Sequence, residues 1–184
     1  MTCNFIKKII LILAIVFTSC TITKSLPISY KSSDELSLFY KQNNIESFFI
    51  VNSYTSLVEL YKQDRVSIPQ NIIFDCDGLE IKHFNNKLCV NHTLEFLKNY
   101  NSKTITQKTN FNISDYLKHF KSINSLDSEK ILSSKKIRVF VNTATYADNY
   151  KANEEAFEIY KQFKDQYEVY IVNLDYISEW KDKK

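Results

Sequence analysis

Hydrophobic residues follow three different spacings along this chain. Ile9 to Phe17 (IILILAIVF) is an unbroken apolar run. It is too short for a permanent membrane span, which takes about 20 apolar residues, and fits the hydrophobic region of a signal peptide. Beyond it come short continuous runs typical of strands buried on both faces. These predict strands over Ser47 to Val51 (SFFIV), Asn71 to Phe74, Leu79 to His83, Ile137 to Val141 (IRVFV) and Tyr167 to Val172 (YEVYIV). Between them apolar residues recur at helical intervals. The helices expected are 34–42 capped by Ser33, 54–63 with Leu57, Leu60 and Tyr61 on one face, one opening at Asn91, one capped by Ser114 and carrying Phe120, a short one at 126–132, and an amphipathic one at 149–165. Tyr176 to Trp180 is expected to close the fold in a helical turn.

Strands alternating with helices predict an α/β domain, a central mixed sheet with helices on both faces. Asp77-Gly78 predicts a tight turn between the second and third strands, because both residues tolerate positive φ. It would leave Asp75 and Asp77 at an outer corner with water. Residues 101–113 are polar and read as a connector.

Lys7 and Lys8 precede the apolar run, and Phe17-Thr18-Ser19-Cys20 follows it. This segment resembles a bacterial lipobox, where small residues precede an obligatory cysteine. The resemblance implies a signal peptide over 1–19, acylation of Cys20, and a polar tether over 20–33 leading to a domain over 34–184. More than one acyl chain makes such an anchor stable. The alternatives are a plain cleaved signal and a buried N-terminal helix ending at an ordinary cysteine.

Composition removes several classes of function. Lys7 and Lys8 are the only charges before Cys20, so the formal charge of +3 falls to +1 for the rest of the chain. That is no footprint for nucleic acid. A single glycine excludes a glycine-rich phosphate loop. His83, His92 and His119 are scattered without metal-ligand spacing, so neither a metal nor a cofactor is expected. Cys76 and Cys89 remain after the lipobox. They are expected at distant points of a hairpin, beyond the roughly 7 Å reach of a disulfide.

The block Ser47 to Leu97 resembles part of the thioredoxin superfamily, in the order strand, helix, Xaa-Pro loop, strand, tight turn, strand, helix. The residues that carry this are Val66-Ser67-Ile68-Pro69, then Asn71-Ile72-Ile73-Phe74-Asp75 and Asp77-Gly78. The resemblance implies a cis bond between Ile68 and Pro69, lying against the active-site loop. Ile137 to Asp175 has the family's strand–helix–strand look, but Thr143-Ala144-Thr145-Tyr146 stands where Cys-x-x-Cys would open the helix. Without a thiolate there, dithiol exchange at that position is excluded. The blocks run in reverse of the family order, which implies a permuted or embellished thioredoxin-like sandwich. Tyr146 and Tyr150 stand in place of the cysteines, where they either pack into the domain or line a groove facing Pro69. The function implied is a membrane-anchored domain that binds a protein or peptide partner.

Asp75-Cys76-Asp77-Gly78 after an apolar strand also resembles the first motif of haloacid-dehalogenase-type phosphatases. Under that resemblance Asp75 is the nucleophile, Asp77 the acid/base, Thr143 the phosphate-holding hydroxyl, and Asp175 a carboxylate near Mg²⁺. Leu79-Glu80 departs from the family's continuation, and a hairpin turn explains the same residues.

Overall fold

A computed structural model describes residues 29–82, 90–101, 106–124 and 126–183, with side chains left aside at 90–92, 148–150 and 181–183. The strands are β1 (Tyr30–Lys31), β2 (Phe48–Val51), β3 (Asn71–Phe74), β4 (Leu79–Lys82), β5 (Gln107–Asn112), β6 (Phe120–Ile123), β7 (Arg138–Thr143), β8 (Glu168–Asn173) and β9 (Tyr176–Ile177). The α-helices are α1 (Ser33–Lys41), α2 (Tyr54–Lys62), α3 (Val90–Asn99), α4 (Ile113–Leu117), α5 (Ser128–Ser133) and α6 (Ala152–Phe163). Two 3₁₀ turns, Thr145–Tyr150 and Ser178–Lys183, complete the order.

Seven strands form one sheet in the order β5-β4-β3-β7-β8-β2-β6. β7, β8 and β2 are parallel, whereas β3, β4, β5 and β6 pair antiparallel with their neighbours. The apolar runs of the sequence become the central strands, and every residue of β2 is buried. Strand alternation sends Phe48, Val139, Val141 and Thr143 to one face, where Tyr40 of α1 packs on Phe48 and on Phe157 of α6. The other face carries Phe49, Phe140 and Tyr170 in one aromatic cluster with Phe74, Tyr116 and Phe120. Helices therefore cover both faces of a mixed sheet, as expected for an α/β domain.

Several elements differ from expectation. The polar stretch 106–112 contributes β5, an edge strand whose solvated face leaves no hydrophobic alternation to read. Asn112 rather than Ser114 caps α4, with its side chain accepting from the Ser114 N–H at 2.9 Å. Phe120 lies outside that helix and opens β6. Ser32, not Ser33, caps α1, in a box with Glu35. Tyr30 and Lys31 pair with Tyr176 and Ile177 as a separate parallel ribbon, so part of the stretch read as tether belongs to the fold. Tyr176–Ile177 is correspondingly a strand, with the helical turn starting at Ser178. Cys20, His83 and Cys89 lie outside the described residues.

Candidate functional site

The three parallel strands end at the same side of the sheet. Their carboxyl ends are where open α/β sheets bind ligands, because the chain must leave each strand there and a crevice remains between the departing segments. A groove of about 280 Å³ occupies this place. Tyr54, Leu57, Val58 and Tyr61 reach it from α2 after β2, Tyr146 from the turn after β7, and Leu174 and Tyr176 from the chain after β8. Val66 closes it from the Pro69 loop.

A buried polar network holds the wall that carries Tyr146. Asp175, 1 % exposed, accepts from the Thr145 N–H and Thr145 Oγ1, both at 2.8 Å, and from Asn173 Nδ2 at 2.7 Å. Asn173 also donates to the Tyr40 hydroxyl at 2.8 Å, and that hydroxyl lies 2.6 Å from Thr143 Oγ1. The Thr143 hydroxyl donates to the Val172 carbonyl at 3.0 Å, so Tyr40 is the donor in the bond between them. Asn153 of α6 brackets Ala144, accepting from its N–H and donating to its carbonyl. The turn after β7 is thus fixed from three sides. Burial raises the Tyr40 hydroxyl well above the ordinary tyrosine range. Tyr146 is pushed up to about 12 by burial and by the nearby Asp175 and Tyr176. Both phenols remain protonated at neutral pH.

The opposite wall is the loop after α2. Ile68–Pro69 is a cis peptide. Neither Ile68 nor Pro69 lines the groove; Val66 of the same loop does. Asn142 of β7 stitches this loop to the sheet, donating to the Arg65 carbonyl at 2.9 Å and the Ser67 carbonyl at 3.2 Å. Tyr146 stands in the groove as read from the sequence, while the Tyr150 side chain lies outside the described ones. Tyr54, Tyr61, Leu174 and Tyr176 were not legible as groove residues. Tyr61, expected on the packed face of its helix, is 72 % exposed, and Leu60 is the buried residue. One signal was present: tyrosines cluster just after the ends of apolar runs, where a departing chain leaves them beside the crevice.

Asp75 and Asp77 lie at the other end of the sheet. Phe74 is in register with Arg138 at the start of β7, whereas Thr143 ends that strand. The turn expected at Gly78 is present, with φ +84°, but Asp75 is not an exposed corner residue. It is only 4 % exposed and its Oδ1 accepts from the Asp77 and Leu79 N–H groups, both at 2.9 Å. Lys108 forms ion pairs with Asp75 and with Asp77. Burial works to raise the Asp75 pKa, but the Lys108 bond and the two backbone donors outweigh it and hold the carboxyl below its ordinary range. Asp77 is exposed, as expected. The structure therefore brings Thr143 and Asp175 together and leaves Asp75 and Asp77 remote from both, so the four residues form no phosphoryl-transfer site. Among the described residues no group of His, Cys, Asp or Glu is placed to hold a metal, and no helix is long and apolar enough to cross a membrane.

Comparison with protein-family models, with curated proteins and with solved structures finds no match to this chain.

Proposed function

We propose that this chain is a bacterial cell-envelope lipoprotein, anchored through acylated Cys20 and facing the periplasm or the exterior. Its permuted thioredoxin-like domain binds a protein or peptide partner without thiol chemistry. The anchor rests on the lysine pair, the short apolar run and the cysteine that follows small residues. The thioredoxin-like reading is supported by the way its two sequence blocks meet. β3 pairs antiparallel with β7, so the Pro-loop hairpin and the strand–helix–strand block share one sheet. Asn142 then ties the Pro69 loop beside the turn that would carry a dithiol.

The observation that carries the binding role is the groove between these segments. It is open, apolar and ringed by tyrosines, and Thr143 to Tyr146 stand where reactive thiols would be. A photo-crosslinking amino acid at position 146, in cells producing the full chain, tests this role. Discrete adducts at 146 that are missing with the crosslinker at exposed Leu132 support it. Equal labelling at both positions, or disulfide reductase activity that Cys76→Ser abolishes, overturns it. Membrane fractionation of wild type against Cys20→Ser tests the anchor, which predicts release of the variant into the soluble fraction.

A further inference from the structure

We infer that the groove takes an uncharged, proline-rich segment of the partner polypeptide, held in the polyproline II conformation. This rests on the binding role proposed above and specifies its ligand.

The first ground is charge. None of the eight residues lining the groove carries a charged side chain, and the floor of Leu57, Val58, Val66 and Leu174 is aliphatic. A charged segment entering there would lose water without gaining a counter-ion. The second ground is the hydrogen-bonding character of the walls. Tyr54, Tyr61, Tyr146 and Tyr176 have no hydrogen-bond partner for their hydroxyls among the described residues. Tyr146 remains protonated well above neutral pH, so it enters as a donor. The groove therefore offers O–H donors over an apolar floor, and its natural complement is a chain rich in acceptors and poor in donors. A prolyl segment fits this description, because it lacks N–H groups and its carbonyls project outward unpaired.

The third ground concerns strand addition, the other common mode of peptide capture. Strand addition requires free backbone groups along the wall. On the Pro-loop side the Ser67 N–H already donates to Gln70 Oε1 at 3.2 Å, and the Ser67 carbonyl accepts from Asn142. At Ser67, therefore, the wall has no backbone pair left for an added strand. The Tyr54 and Tyr176 rings, 6.4 Å apart and inclined by 33°, form an aromatic ledge suited to the flat pyrrolidine faces of a preformed helix.

Titration of a capped decaproline peptide onto the full chain in detergent micelles, followed by calorimetry, tests this. A capped Thr-Val decamer is the strand-forming control. Saturable decaproline binding is expected, weakened tenfold or more by Tyr54→Ala and by Tyr146→Ala. Tyr54→Phe keeps the ring and loses the hydroxyl, and a threefold or greater loss is expected. Leu132→Ala, at an exposed site on α5, is expected to leave affinity unchanged. Unaltered melting temperatures for the tyrosine variants show that the losses are not unfolding. No saturable decaproline binding, or affinity indifferent to all three tyrosine variants, overturns the inference. Tyrosine-dependent preference for the Thr-Val peptide also overturns it, while leaving the groove as a polypeptide site. If neither peptide binds and position 146 gives no photo-adduct in cells, the binding role falls as well.

Discussion

Gly78 is the one glycine in the chain and it stands where a side chain fits worst. Its φ of +84° is a conformation that other residues adopt at a cost, and a Cβ built there meets Ile113 Cγ2 at 2.9 Å. The Gly78 carbonyl also accepts from the Ile113 N–H, so the hairpin turn and the start of α4 are pinned together. Gly78→Ala is expected to destabilise the fold by about 2 kcal/mol, read from the midpoint of urea unfolding. His119 carries a different kind of strain. It is buried, with Nδ1 3.6 Å from the Glu59 carboxylate and Nε2 without a hydrogen-bond partner. Burial, helped by Lys118, lowers its pKa, against the smaller pull of Glu59 and Asp115. The folded imidazole thus binds its proton less readily than the unfolded one, for which the ordinary value is 6.5. Stability is full above that value and falls as pH drops through it, because the unfolded chain then takes up protons that the fold resists. Melting temperatures between pH 7.5 and 5 are expected to decline, and the slope is expected to flatten in His119→Asn. An unchanged slope shows that other groups set the acid limit.

Among the elements, α1 shows how a local signal is read and where it misleads. The Ser32 side chain accepts from the Glu35 N–H at 3.2 Å, and Glu35 accepts from the Ser32 N–H at 2.8 Å, a reciprocal box. Ser32→Ala is expected to cost about 1 kcal/mol, whereas Ser33→Ala loses only a surface bond to Glu179 and is expected to cost less. Thermal unfolding of the two single variants checks the order. Two adjacent serines before a helix cannot be told apart by type, but the three-residue spacing to Glu35 singles out Ser32, and the structure forms that box. The buried strands were plain in the sequence because a strand covered on both faces is apolar along most of its length, as β2 is throughout and β7 from Val139 to Val141. β5 was hidden for the converse reason: it lies at an edge, its residues are half-buried or exposed, and it pairs through backbone groups that any sequence possesses. β9 was hidden because two residues pairing with Tyr30–Lys31, far away in the chain, leave no periodic trace. The groove was half legible. Tyr146 followed from the strand–helix junction, but the tyrosines of α2 and β9 meet it only through the sheet order, which no local pattern records.

At the scale of the molecule, the two ends of β7 are devoted to different tasks. At its amino end Arg138 is buried and binds three main-chain oxygens from two segments: Ile131 and Ser134 around α5, and Asp75 at the hairpin. At its carboxyl end stand Thr143 and the groove network. The separation is five residues of extended chain, about 16 Å. Removing the guanidinium leaves three carbonyls without this donor, two of them buried, so Arg138→Met is expected to lose about 3 kcal/mol of stability. Tyr61, at the groove and largely in water, is expected to change stability by less than about 0.5 kcal/mol when replaced by Ala. Sites this far apart, sharing no partner, are expected to add within about 0.5 kcal/mol in the double variant, as measured by urea unfolding of all four proteins. The same four proteins separate ligand binding from folding. Below the unfolding midpoint of the double variant, Arg138→Met is expected to bind any groove ligand as the wild type does, and Tyr61→Ala to bind it more weakly. A coupling above 1 kcal/mol between the two sites, or altered binding in Arg138→Met, shows instead that β7 transmits between its ends and that scaffold and groove are one unit.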